Sequence, residues 1–163
     1  DWSPRLLEGL VAAGFRVVVF DNRDAGLSEK CAADYSLEDM AADVIGLMDG
    51  LGIHRAGIFG ISLGGMVAQL VAYHYPERVE WLFSVMSTSG DPALPRPAPE
   101  FQARLQATAD GRDAVIELET ESRAAFGSPT YPEPEAVRRA AAVAGETGAT
   151  RMSPTLSAAG RQQ

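Results

Sequence analysis

The chain has 163 residues, of which 46% are hydrophobic, and carries a formal net charge of -8; this is enough apolar content for a domain with its own core and excludes a chain disordered by composition. The acidic balance argues against a nucleic-acid partner, which needs a basic face. A single cysteine, Cys31, excludes an intramolecular disulfide and a cysteine metal cluster, and a reducing cytoplasm is the expected compartment. No apolar run reaches the length of a membrane span, so no membrane partner is expected. The opening Asp1-Trp2-Ser3-Pro4 reads neither as a signal peptide nor as a natural start, and the chain is expected to begin in mid-protein.

Residues 4–14 read as a helix. Pro4 suits a first helical position, Leu6, Leu7, Leu10 and Val11 form an apolar stripe, and Gly14 ends it. Phe15 to Phe20, centred on Val17, Val18 and Val19, predicts a short strand buried on both faces. Residues 21–28 (DNRDAGLS) form a polar loop that Asp21, Arg23 and Asp24 are expected to shape through local hydrogen bonds. Ser36 with Asp39 predicts a capping box. The helix it opens places Leu37, Met40, Ala41, Val44, Ile45, Met48 and Leu51 at helical spacing, with Gly50 and Gly52 closing it. Ala56 to Gly60 predicts a second strand, Leu63 to Tyr75 a helix stopped before Pro76, and Val79 to Met86 a third strand. This alternation means a parallel sheet covered by helices, an α/β fold.

After Gly90 the texture changes. Residues 91–99 hold four prolines and cannot continue a sheet interior. Residues 100–125 read as helical, 127–134 as a second proline-rich break, and 135–144 as an alanine-rich helix. From 145 to 163 no apolar periodicity remains and a disordered tail is expected.

The strongest local signal is Gly60-Ile61-Ser62-Leu63-Gly64, followed by Gly65. A serine flanked by glycines two before and two after, between a short apolar strand and an amphipathic helix, has the form of a nucleophile elbow. The sharp strand-to-helix turn strains the serine backbone, and small residues at Gly60, Gly64 and Gly65 are expected to let the neighbouring segments approach. Ser62 is the candidate nucleophile. The backbone N–H of Leu63, at the start of the helix, is a candidate oxyanion donor. The plainer alternative is a tight turn that needs glycine and happens to hold serine, and the flanking strand and helix favour the nucleophile. A phosphate loop fits poorly, because GIFGISLGG lacks the Gly-x-Gly-x-x-Gly spacing and no lysine follows. No cofactor and no metal are implied.

Three segments together resemble the α/β-hydrolase family, in its small soluble esterase-like members, from Trp2 to about Asp91. DNRDAGLS at 21–28 resembles the family loop Asp-x-Arg-Gly-x-Gly-x-Ser, with Asp24 where glycine is more usual. GISLGG at 60–65 resembles the elbow, and HYPERV at 74–79 resembles the helix exit into the next strand. The loop variant is also similar to the group containing aclacinomycin methylesterase. The resemblance implies an incomplete hydrolase core over 1–90, a helical cap region over 91–144 and a tail over 145–163. It also implies a small-molecule ester as substrate and a triad in the chain order serine, acid, histidine.

The histidine is the missing part. His74 lies twelve residues beyond Ser62 on the expected helix, roughly 18 Å along its axis. His54 precedes the strand whose far end carries Ser62, roughly 15 Å away. Neither is expected to be the base, since hydrogen-bond reach is about 3 Å. Asp91 follows the strand after the elbow helix and is a weak candidate for the acid. Its competing role, favoured here, is a turn residue before Pro92. In the family the second oxyanion donor comes from a loop that would lie upstream of Asp1. Phe101, Leu105, Ile116, Leu118 and Phe126 of the cap either line a pocket or pack the cap, and packing is the commoner role. The expectation is a fragment, weakly active or inactive alone, of a carboxylic-ester hydrolase acting through Ser62. A non-catalytic α/β-hydrolase-like binding or interaction domain is the alternative, and the sequence carries no signal for an oligomeric state.

Overall fold

The computed structural model describes residues 2–107, 109, 111–128 and 130. These form two compact units, one of 2–30 with 100–130 and the other of 31–99. The expected helix over 135–144 and the tail over 145–163 lie outside the described residues.

The first unit opens with α1 (Pro4–Ala12), which has proline in its first turn. Its end is a Schellman motif: Phe15 N–H bonds to Leu10 O, Gly14 N–H bonds to Val11 O, and Gly14 takes a φ of 90°. The following run, Phe15 to Phe20, is not the expected buried strand. It has no regular ladder, and Phe15, Val18, Val19 and Phe20 are exposed. Apolar β-branched composition favours an extended chain, but a strand also needs a neighbour to take its N–H and C=O groups. The described residues contain one sheet, and it has two strands elsewhere in the chain.

The loop over 21–28 is closed by its own side chains. The Asp21 carboxylate accepts from Leu27 N–H (3.1 Å), and Ser28 Oγ–H donates to Asp21 O (2.6 Å). Gly26, at φ 49°, lies where a Cβ would strike the Asp21 carboxylate. Lys30 Nζ donates to the carbonyls of Asp24 and Gly26.

The helical stretch expected over 100–125 is two helices, α4 (Pro99–Gln106) and α5 (Arg112–Phe126). Gly111, at φ 84°, sits between them in a backbone conformation that no helix interior adopts. Phe101 and Phe126 pack ring against ring at 5.6 Å, and Arg104 pairs with Glu121 at 3.7 Å.

The second unit holds the core. Helix α2 (Leu37–Gly50) starts at the expected capping box: Ser36 Oγ accepts from Asp39 N–H (3.2 Å) and the Asp39 carboxylate accepts from Ser36 N–H (2.8 Å). Its end is a second Schellman motif, with Gly52 at φ 66°, Gly52 N–H on Asp49 O and Ile53 N–H on Met48 O. Gly50 is the last helical residue and Gly52 makes the turn.

Strand β1 (Ala56–Ile61), helix α3 (Leu63–His74) and strand β2 (Val79–Val85) follow, with a single 3₁₀ turn, Pro76–Arg78, before β2. The strands are parallel and pair Ile58 with Leu82, Gly60 with Ser84, and Ile61 with Val85. The register slips by one residue between Ala56 and Ile58. There Gly57 leaves room for the indole of Trp81, which a Cβ would strike. Helix α3 packs on both strands and on α2. Met40, Ala41, Val44 and Met48 of α2 meet Val67 and Val71 of α3, with Ile58, Leu63 and Val79 packed around them. Burying these side chains contributes about 1.5–3 kcal/mol for each larger one, and this anchors the helix that begins at the elbow.

The opposite end of this unit is tied by Arg78. Its guanidinium pairs with Asp49 (2.6 Å) and donates to the carbonyls of His54 (2.8 Å) and Ile53 (3.0 Å). One side chain thereby joins the end of α2, the approach to β1 and the approach to β2.

Candidate active site

Strand β1 delivers the chain to Ser62, and α3 begins at the next residue. Ser62 has φ 55° and ψ -120°, a region that costs a non-glycine residue about 1–3 kcal/mol. Its backbone is held from both sides. Ser62 N–H donates to Val85 O at 2.9 Å, and Ser62 O accepts from Gly65 N–H (2.9 Å) and Met66 N–H (3.2 Å). The side chain makes no capping bond to the helix and is exposed. Serine commonly caps a helix through its hydroxyl; here the backbone conformation turns Oγ away from that use.

The glycines around it do different jobs. A Cβ on Gly60 would strike the backbone of Gly64 and Gly65. A Cβ on Gly65 would lie 2.6 Å from Ser87 Cβ and 2.9 Å from Ser84 Oγ. Gly64 differs from the expectation: a Cβ there meets nothing within 4 Å. Close approach explains Gly60 and Gly65, and Gly64 enters the packing only through its carbonyl.

Gly65 and Met66 are bound back to Ser62 O, so the first free donors of α3 are the N–H groups of Leu63 and Gly64, which no acceptor among the described residues takes. An exposed hydroxyl beside unpaired N–H groups at the positive end of a helix suits attack on a carbonyl and stabilisation of the oxyanion that forms.

Neither histidine joins this arrangement. His74 is the last residue of α3, at the end opposite Ser62, and its ring stands edge-on to Tyr73 at 4.9 Å. His54 precedes β1, and its carbonyl is held by Arg78. Asp91 sits in an exposed turn. Its Oδ1 accepts from Ala93 N–H (2.8 Å) and its carbonyl accepts from Leu94 N–H (3.0 Å). That is the geometry of a turn-forming aspartate.

Sequence reasoning missed a polar latch behind the elbow. Gln69 Nε2 on α3 donates to Ser84 Oγ (2.9 Å), Ser87 Oγ (3.5 Å) and Thr88 O (3.3 Å), and Ser84 Oγ donates to Gly65 O (3.3 Å). The available signal was a lone glutamine one turn after Gly65 on an otherwise apolar helix face. Among the described residues, no group of three or more His, Cys, Asp or Glu could hold a metal ion. No helix there is long and apolar enough to cross a membrane.

Residues 1–123 match the family described as alpha/beta hydrolase fold. The chain belongs to the α/β-hydrolase fold family. It is similar to a rhodomycin D methylesterase of Streptomyces peucetius, with 33% identity over 126 residues covering 76% of this chain and 40% of that protein. It is also similar to a 3-oxoadipate enol-lactonase of Acinetobacter baylyi, with 36% identity over 90 residues covering 55% of this chain and 32% of the relative. A meta-cleavage product hydrolase of Pseudomonas fluorescens shares the fold at a TM-score of 0.68 and 22% identity, over 93% of this chain and 55% of the other. The chain thus spans well under half the length of the two curated relatives. A two-stranded parallel sheet with its helices is an incomplete α/β-hydrolase core.

Proposed function

We propose that this chain carries the nucleophile of a serine hydrolase acting on carboxylic esters of small molecules. The observation that carries this reading is the Ser62 backbone, a non-glycine residue held at φ 55° between strand and helix with its hydroxyl exposed and unused by the helix cap. A strained serine has little structural value, since glycine fits such a turn at lower cost. The names of the relatives, a methylesterase and an enol-lactonase, support the acyl-oxygen class of substrate.

In this reading Ser62 Oγ attacks the ester carbonyl carbon while a histidine outside these 163 residues takes its proton. The Leu63 N–H helps hold the developing oxyanion. The alcohol departs with the proton from that histidine, and water then attacks the acyl-Ser62 ester and releases the acid. The base is external because both histidines of the chain sit at element ends remote from Ser62. Asp91 has its carboxylate committed to a turn and is not assigned to the triad.

A fluorophosphonate probe read by intact mass tests this. The full-length protein is expected to take up one probe per chain, and Ser62→Ala to take up none. The isolated 163 residues, folded but without a base, are expected to stay unlabelled. Ester hydrolysis that survives Ser62→Ala would overturn the assignment, and a full-length protein that neither labels nor hydrolyses would favour a binding domain.

A further inference from the structure

The two strands end alike. The last residues of β1 and β2, Ile61 and Val85, are register partners, and the ladder runs one step further through Ser62 N–H on Val85 O. The residues that follow are Ser62 and Met86, and both leave their strands with positive φ, 55° and 48°. Met86 therefore leaves β2 at the position opposite the one where Ser62 leaves β1.

Among the described residues only three non-glycine residues have positive φ. Asp24 is one, and aspartate tolerates that region through its short polar side chain. Met86 has no such excuse, and its large apolar side chain is 71% exposed. Nor is this a loose end of chain. Val85 before it is in the ladder, and Ser87 and Thr88 after it are held by Gln69. A strained backbone, fixed on both sides, presents an unpacked thioether at the carboxyl end of a parallel sheet, where α/β folds bind their ligands. Methionine is flexible and polarizable and packs against irregular apolar shapes.

Resting on the serine-hydrolase reading, we infer that Met86 forms the apolar wall against which the acyl group of the ester lies, and that it sets the acyl length accepted. The acyl group is assigned rather than the alcohol because it stays bonded to Ser62 Oγ through both half-reactions. A side chain one strand away from Ser62 then contacts it from first attack to release.

The test uses the full-length protein with p-nitrophenyl acetate, butyrate and octanoate. The readout is the ratio of kcat/KM for octanoate to that for acetate. Met86→Gly, which suits φ 48°, is expected to raise the ratio about tenfold, and Met86→Phe to lower it about tenfold, the discrimination that one or two methylenes give in an apolar pocket. If Met86→Phe does not fold, Met86→Gly decides alone. A ratio unchanged in a folded variant, while hydrolysis is still abolished by Ser62→Ala, overturns the role of Met86 and leaves the serine reading standing. A dependence on alcohol size at fixed acetyl group, with none on acyl length, also overturns it. Hydrolysis indifferent to Ser62→Ala overturns the serine reading itself and this inference with it.

Discussion

Gly60 and Gly64 flank Ser62 symmetrically in sequence, yet the packing predicts opposite outcomes for adding one methyl group to each. At Gly60 the new Cβ runs into the Gly64 carbonyl and the Gly65 nitrogen. Those atoms are backbone in the first turn of α3, which is pinned by the bonds from Gly65 and Met66 to Ser62 O, so nothing can swing aside. Gly60→Ala is expected to cost about 3 kcal/mol, the upper end for overpacking. At Gly64 the Cβ enters open space, and alanine is favoured over glycine in a helix by about 1 kcal/mol. At roughly 2–4 °C per kcal/mol for a protein of this size, Tm should fall by about 6–12 °C in the first variant and rise by about 2–4 °C in the second. Thermal and urea unfolding followed by circular dichroism measure both, with an unchanged urea m-value as the check that only stability has moved. Equal losses at the two positions would refute the steric account and mean that both glycines serve the turn itself.

One further outcome concerns the elbow and another the Arg78 tie at the opposite end of the unit. Ser62→Gly should raise stability by about 1 kcal/mol, because relief of about 1–3 kcal/mol of backbone strain exceeds the added chain entropy of glycine; Ser62→Ala keeps the Cβ and should gain nothing, so equal Tm values for the two variants would argue that Ser62 is unstrained. Arg78→Ala removes an ion pair and two carbonyl bonds from a side chain that is only 19% exposed. A loss of about 2 kcal/mol is expected in urea unfolding, and a loss below about 0.5 kcal/mol would assign the group to the class of weak surface pairs.

The elements of the second unit were legible because their signals act over a few residues. Ser36 and Asp39 satisfy each other's N–H groups three positions apart, Pro76 stops α3 from its own ring geometry, and the apolar runs at 56–60 and 79–86 are short, β-branched or aromatic, and bounded. The elbow was legible for the same reason: Gly60, Ser62 and Gly65 lie within six residues. The run at 15–20 has equally strong local character and still forms no ladder, because pairing is a property of two segments. The stretch expected to be helical over 100–125 stops at Gln106 and resumes at Arg112, where Gly111, at φ 84°, stands at the start of α5 in a conformation that no continuous helix allows.

The sequence by itself determined the α/β class, the helix caps, the strand–turn–helix around Ser62, and the remoteness of both histidines, since each follows from backbone preferences and rise per residue. The tertiary structure decided which glycines are sterically required, that Gln69 latches α3 to the end of β2, that Arg78 ties three segments together, and that Met86 leaves β2 opposite the point where Ser62 leaves β1. Apart from the close approach of Gly60 to Gly64 and Gly65, which the turn itself makes, those contacts join residues 15 or more apart in sequence that meet only once β1 and β2 pair around α3, so no local pattern of residues encodes them.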